Sequence, residues 1–196
     1  MAITTNTLFQ RDLISTKEIT TPDIRVIFKT ADHLKEHPAT RPHAMHCVIA
    51  SCFFEPSTRT RLSFESAACR IGARVIGFSG DADLSTQKGE TLADTMRIVA
   101  GFSDLIIIRH PEEGAARLTA ELANCPVING GDGANQHPTQ ALVDLYTIHA
   151  CQNKLNGLSV ALVGDLKYGR TIHSLLDLCS LFDMRLYFVA PDILSL

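Results

Sequence analysis

The stretch His46-Cys-Val-Ile-Ala-Ser-Cys-Phe-Phe-Glu-Pro-Ser-Thr-Arg-Thr-Arg61 passes from an unbroken apolar run into three hydroxyls and two guanidiniums. Val48, Ile49, Ala50, Cys52 and Phe53 follow one another without polar alternation, the pattern of a parallel strand buried on both faces. The segment after them reads as a helix. Leu62, Ala67, Ala68 and Ile71 are expected on one face, Arg61 and Glu65 stand four apart, and Gly72 is placed to end it. A helix start leaves N–H groups unpaired and carries the positive end of the helix dipole. Ser57, Thr58, Arg59 and Thr60 add donors at that point. Taken singly, Ser57 or Thr58 is an ordinary N-cap and each arginine a solvated side chain. Together they predict a phosphate site at a strand-to-helix junction.

Working outward, a helix opens at Thr21 and Pro22 and runs through Ile24, Ile27, Ala31 and Leu34. Strands are then predicted at 46–54, 73–79, 104–109 and 126–129. Helices are predicted at about 90–101, with Leu92, Met96 and Val99 inward, at 112–123, and at 138–150 with Leu142, Leu145 and Tyr146. This alternation demands right-handed crossovers, and so an α/β fold: a parallel sheet flanked by helices, with ligands at the carboxyl ends of the strands. Residues 1–150 form this first domain. Cys151 to Gly157 reads as a linker. Beyond it come a strand at 158–163, a turn at 164–170, a helix at 171–182 and a strand at 184–189. One βαβ unit is smaller than what usually folds alone, so 151–196 is expected to be a linker and the opening of a second α/β domain whose remainder is absent.

Composition narrows the function. The chain has 196 residues, 45% hydrophobic and 20% charged, with a net charge of −3. It carries no basic stripe or aromatic-interleaved Lys/Arg cluster, which argues against a nucleic-acid partner. Met1 to Asn6 lacks a charged leader with an apolar core, and no apolar run nears the roughly 20 residues that span a bilayer, so a cytoplasmic protein without membrane contact is expected. The six cysteines contain no C-x-x-C pair and the eight histidines no H-E-x-x-H spacing. Reduced thiols are expected, and neither a disulfide framework, a metal nor a cofactor.

The predicted strand ends gather the chemistry. The first leads to Ser57, Thr58, Arg59 and Thr60, and the third ends in Arg109-His110-Pro111. The fourth passes through Gly130-Gly131-Asp132-Gly133 to His137-Pro138-Thr139-Gln140. Glycines permit close backbone approach, and Pro138 as first helical residue sets His137 and Gln140 beside a helix N-terminus. A neutral imidazole, an amide and arginines around a phosphate suit a reaction that builds negative charge on a carbonyl or phosphoryl oxygen, with no protein nucleophile. In the polar loop 80–90, Ser85 and Lys88 could reach a phosphate, although lysines in such loops are commonly just solvated. Gly164-Asp-Leu-Lys-Tyr-Gly-Arg-Thr171 copies the P-loop pattern with Arg170 in place of lysine. It supports a nucleotide-binding enzyme as an alternative, weakened because a guanidinium fork replaces a compact ammonium poorly. The plain alternative is a βα turn with Arg170 at its lip.

Five motifs in order, Ser57-Thr-Arg-Thr-Arg61, Lys88-Gly-Glu90, Arg109-His-Pro111, His137-Pro-Thr-Gln140 and Gly164 to Thr171, resemble the aspartate carbamoyltransferase catalytic chains over nearly the whole sequence. The first and fourth also fit ornithine carbamoyltransferases, while the other three resemble the aspartate branch. The resemblance implies transfer of a carbamoyl group from carbamoyl phosphate to the amino group of L-aspartate, releasing phosphate, an early step of pyrimidine synthesis. It implies that Ser57, Thr58, Arg59 and Thr60 hold the phosphate, that Arg109 bridges phosphate and carbonyl oxygen, that His137 and Thr60 polarise the carbonyl, and that Gln140 accepts the carbamoyl NH2.

It further implies a homotrimer in which the polar loop enters the neighbour's active site, Lys88 binding aspartate there and, with Ser85, reaching the phosphate, and with Ser85 or Leu84 at the family's serine position, the loop being about one residue short. Arg170 is implied to contact an aspartate carboxylate, and Glu55 to pair with it. Regulatory chains are a possible family partner. The family's second domain continues for roughly another hundred residues, with further aspartate-binding positions that this sequence lacks. A non-catalytic carbamoyl phosphate binder is therefore the second expectation.

Overall fold

The computed structural model describes residues 8–40, 43–80 and 89–195. The apolar run is the centre of the fold. β1 (Val48–Phe53) pairs in parallel with β2 (Arg74–Ser79) on one side and β3 (Leu105–His110) on the other, and β3 pairs with β4 (Val127–Asp132), giving the order β2-β1-β3-β4. β1 is buried along nearly its whole length, whereas the edge strand β2 is largely exposed.

Period-two alternation sends side chains to both faces. Ala50, Cys52, Ile106, Ile108 and Val127 meet Met96 and Ala100 of α3 (Leu92–Phe102) and Ala116 of α4 (Ala115–Leu122). Ile49, Phe53 and Ile107 meet α2 (Thr58–Arg70). Helices thus cover both faces. α2 buries Phe64, Ala68 and Ile71 at i, i+4 and i+7; Leu62 and Ala67, expected inward, are exposed. The phenylalanine outcompetes Leu62 because the ring reaches the sheet from a position one helical turn before Ala68.

Local chemistry moves several predicted boundaries. α1 (Thr21–Glu36) is capped one residue earlier, by Thr20, in a reciprocal box with Asp23. Thr91 caps α3 through the Asp94 N–H. α4 starts three residues late because Gly114, at φ 83°, is its N-cap and donates to Asp132. β4 continues through Gly130 and Gly131, predicted as loop, since Asp132 stays in register with His110 across an irregularity.

α5 (Pro138–Gln152) ends on Asn153 in the left-handed region, two residues into the predicted linker. β5 (Leu158–Val163), α6 (Arg170–Cys179) and β6 (Met184–Val189) follow, the strands forming a parallel pair. α6 stops short of the predicted 182 at Ser180, whose hydroxyl bonds the Asp177 carbonyl. This unit is not a free-standing βαβ. Leu162, Leu166, Leu175 and Leu178 share a core with Ile24 and Phe28 of α1 and with Ala141, Leu142 and Leu145 of α5. A polar junction reinforces it. Gln136 Oε1 accepts from the Thr16 N–H at 3.0 Å and hydroxyl at 2.7 Å, and the same hydroxyl lies 2.7 Å from Asp177 Oδ2. All six cysteines are free thiols, with Cys52 and Cys179 buried.

Candidate active site

Strand order reverses about β1: α2 carries the chain outward to β2, and α3 carries it back past β1 to β3. The crevice outside the carboxyl ends of β1 and β3 is where ligands settle in such sheets. A cleft of about 1160 Å³ opens there. Its lining includes Ser57, Thr58, Arg59, Thr60, Arg109, His137, Gln140 and Arg170, drawn from the carboxyl end of β3 and from the segments that follow β1, β4 and β5. Ser85 and Lys88, with the alternative Leu84, lie outside the described residues.

Three helices point their N-termini at this cleft. Ser57, His137 and Gly169 are the N-caps of α2, α5 and α6, and none of them satisfies its helix with a side-chain bond. Helix starts left uncapped in this way offer free N–H donors and a positive dipole end to an anion. Arg59 is exposed in the cleft and has no bond to another described residue. Arg61 is turned elsewhere, donating to Glu65 Oε1 at 2.7 Å while the Ser51 hydroxyl holds the same oxygen at 3.0 Å. One guanidinium of the opening motif therefore serves the ligand side and the other clamps the helix to β1.

Glu55 organises the opposite wall. Its Oε1 lies 2.7 Å from Arg109 Nη2 and 3.5 Å from Arg170 Nη2, so the expected pairing with Arg170 is joined by a shorter one with Arg109. Arg109 Nη1 also donates to the Gly130 carbonyl at 3.3 Å, and Arg170 Nη1 donates to the Gly133 carbonyl. Gly131 sits at the meeting point with φ 119°. A Cβ there would lie 3.3 Å from Arg109 Nη1, 3.5 Å from His137 Cδ2 and 3.6 Å from Arg170 Cζ. Only glycine lets the backbone pass so close to all three.

His137 is 6% exposed. Its backbone N–H donates to Ser174 Oγ at 3.1 Å, while its ring Nδ1 is buried with no partner among the described residues. Burial, then the positive charges of Arg109 and Arg170, push its pKa down to about 4. At neutral pH the ring is uncharged, so one of its nitrogens carries an N–H that donates and the other accepts. Burial likewise lowers Arg109, against the pull of Glu55. On the floor, Gln140 Nε2 donates to Asp144 Oδ1 at 2.9 Å. Three arginines and one aspartate line the cleft, so it favours an anion.

Sequence reasoning missed Asp144, the Arg109–Glu55 pair and the Thr16–Gln136–Asp177 junction. The i, i+4 spacing of Gln140 and Asp144 was a usable signal; the other two join residues far apart in the chain. The P-loop alternative is overturned. Asp165 Oδ1 accepts the N–H groups of Lys167 and Tyr168 at 3.1 and 2.9 Å, and the Leu166 and Lys167 N–H groups also bond the Leu194 carbonyl. The amides a phosphate would need face a carboxylate, and Arg170 leaves the loop for the cleft.

Residues 11–150 match the family described as aspartate/ornithine carbamoyltransferase, carbamoyl-P binding domain. The chain is 52% identical over 189 residues to the aspartate carbamoyltransferase catalytic subunit of Thermococcus gammatolerans, a match covering 95% of this chain and 61% of that protein. It is 53% identical over 195 residues to the Vibrio cholerae catalytic subunit, covering 97% of this chain and 62% of that one. The crystal structure of the M. jannaschii aspartate transcarbamoylase catalytic subunit superposes with a TM-score of 0.86 at 49% identity, covering 95% of this chain and 62% of that one. Aspartate transcarbamoylase from Trypanosoma cruzi, solved with carbamoyl phosphate and aspartate, gives a TM-score of 0.88 at 37% identity, covering 95% and 60%. The chain thus spans about three fifths of the length of these relatives. With its matched domain, its parallel sheet and relatives identical at about half of all positions, the chain belongs to the aspartate/ornithine carbamoyltransferase family.

Proposed function

We propose that the cleft binds carbamoyl phosphate, and that in a complete catalytic subunit it transfers the carbamoyl group to L-aspartate, giving N-carbamoyl-L-aspartate and phosphate for pyrimidine synthesis. The observation that carries this reading is the convergence of Arg59, Arg109, His137 and Gln140, from three separate parts of the chain, on one cleft. Ser57, Thr58, Arg59 and Thr60 hold the phosphate at the start of α2. Arg109, fixed by Glu55, spans phosphate and carbonyl oxygen; His137, kept neutral, and Thr60 donate to that oxygen; Gln140 accepts from the NH2. As the amine attacks, charge grows on the carbonyl oxygen and then on the departing phosphate, and each fixed donor aimed at that charge contributes roughly 3–4 kcal/mol. Residues 1–150 act as the carbamoyl phosphate domain and 151–196 as linker and opening of the aspartate domain.

The relatives named as catalytic subunits support the aspartate branch. Arg170 contacts an aspartate carboxylate, and Lys88, with Ser85, serves a neighbouring subunit's site in a cytoplasmic homotrimer. No described helix is long and apolar enough to cross a membrane. A second reading, binding without transfer, is favoured by one observation: of the described residues, only Arg170 is assigned to aspartate, and it is already held by Glu55 and Gly133. Calorimetric titration with carbamoyl phosphate, beside a radiolabelled transfer assay with L-aspartate and an L-ornithine control, separates the two. Heat with labelled carbamoyl-aspartate supports transfer, heat alone supports the second reading, and no heat overturns both.

A further inference from the structure

We infer that Asp144 is the positioning residue that makes the cleft select a carbamoyl over an acyl phosphate, by fixing which end of the Gln140 amide faces the ligand. The inference rests on the carbamoyl phosphate reading of the cleft. Gln140 and Asp144 are one helical turn apart on α5, both half-buried and both lining the cleft, with Gln140 Nε2 2.9 Å from Asp144 Oδ1.

The two ends of a glutamine amide have nearly the same shape, so a free side chain presents NH2 or oxygen about equally well. A carboxylate removes that freedom. Asp144 can only accept, so the NH2 of Gln140 must face it and the amide oxygen must face away. An oxygen turned to the ligand accepts from a carbamoyl NH2 and offers nothing to a methyl group. Without Asp144, half of the amide orientations would set NH2 against NH2. The carboxylate therefore acts through Gln140, without touching the ligand, and its effect is confined to ligands with an amino group on the acyl carbon.

The test compares two probes, carbamoyl phosphate and acetyl phosphate, which share the phosphate and carbonyl and differ in NH2 against CH3. Calorimetric affinities are measured for the unaltered chain, for Asp144→Asn, Gln140→Ala and the double variant, with Asp144→Ser as a smaller second replacement. The expected result is that the unaltered chain prefers carbamoyl phosphate. Gln140→Ala should then weaken carbamoyl phosphate by about three- to tenfold, the range of one hydrogen bond, and the Asp144 variants by about twofold, the share of amide orientations lost; all should leave acetyl phosphate unchanged. The double variant should lose no more than Gln140→Ala alone, because the two residues act as one unit. Retained acetyl phosphate binding reports an intact fold. If Asp144→Asn and Asp144→Ser keep the preference in full, or the unaltered chain shows none, the inference is overturned while the phosphate cleft stands. If the unaltered chain binds neither probe, the carbamoyl phosphate reading itself fails.

Discussion

Acidification should destabilise this protein through His137 in a defined window. Burial, then the charges of Arg109 and Arg170, push the imidazole down from its usual 6.5 to about 4 in the fold. The unfolded chain therefore takes up a proton that the folded chain refuses, and stability rises with pH wherever the unfolded state binds more protons. The contribution is whole above about pH 6.5, declines as pH falls, and levels off near pH 4. The displacement corresponds to roughly 3 kcal/mol at the acid end, a large share of a typical folding free energy of about 5–15 kcal/mol. Two structural facts set its direction: the ring is 6% exposed, and Arg109 and Arg170 both bear on it.

The assay is urea unfolding of the unaltered chain and of His137→Gln across about pH 7.5 to 4.5, comparing the difference between the two so that other titrating groups cancel. The difference should grow toward acid in favour of the glutamine variant. Inorganic phosphate in the cleft should oppose the effect, since an anion beside the ring favours its protonated form. A pH-independent difference, or an imidazole NMR titration near 6.5 in the folded protein, would refute the reasoning.

Three further outcomes are expected. Gly131→Ala meets a backbone at φ 119° and sets a methyl group 3.3 Å from Arg109 Nη1; a stability loss of about 1–3 kcal/mol by urea unfolding should accompany weaker carbamoyl phosphate binding by calorimetry. Arg59→Ala removes an exposed side chain with no described partner, so unfolding should change by less than about 0.5 kcal/mol. Its carbamoyl phosphate affinity should fall by about ten- to a hundredfold, the worth of charge-assisted hydrogen bonds; unchanged affinity would remove Arg59 from the site. Thr16→Val deletes the hydroxyl shared by Gln136 and Asp177, and should cost about 1–3 kcal/mol, measured as a lowered urea midpoint.

The elements most legible in the sequence are those whose signal is local. The apolar run from Val48 to Phe53 could only be a strand buried on both faces, and it is the central strand. The hydroxyls and arginines after it mark a helix start, and the eight candidate residues outside positions 81–88 all line one cleft. The boundaries that moved did so for chemistry between distant parts of the chain. Gly114 starts α4 late because its N–H answers Asp132, eighteen residues on. Leu62 is exposed because the sheet accepts Phe64 instead.

Periodicity, caps and motif chemistry follow from the order of residues along a few turns, so the sequence by itself determined the parallel α/β layout and the stock of donors for an anion. Which donors cooperate is decided by side chains that meet only after folding. The i, i+4 spacing pairs Arg61 with Glu65, but it does not tell where Arg59 goes, and only the fold sets that guanidinium in the cleft. Nothing local tells that Glu55 holds both Arg109 and Arg170, or that His137 is driven neutral between them. Charge and desolvation act through space, across the junction of β1, β3, β4 and α6, and only the tertiary structure sets those distances.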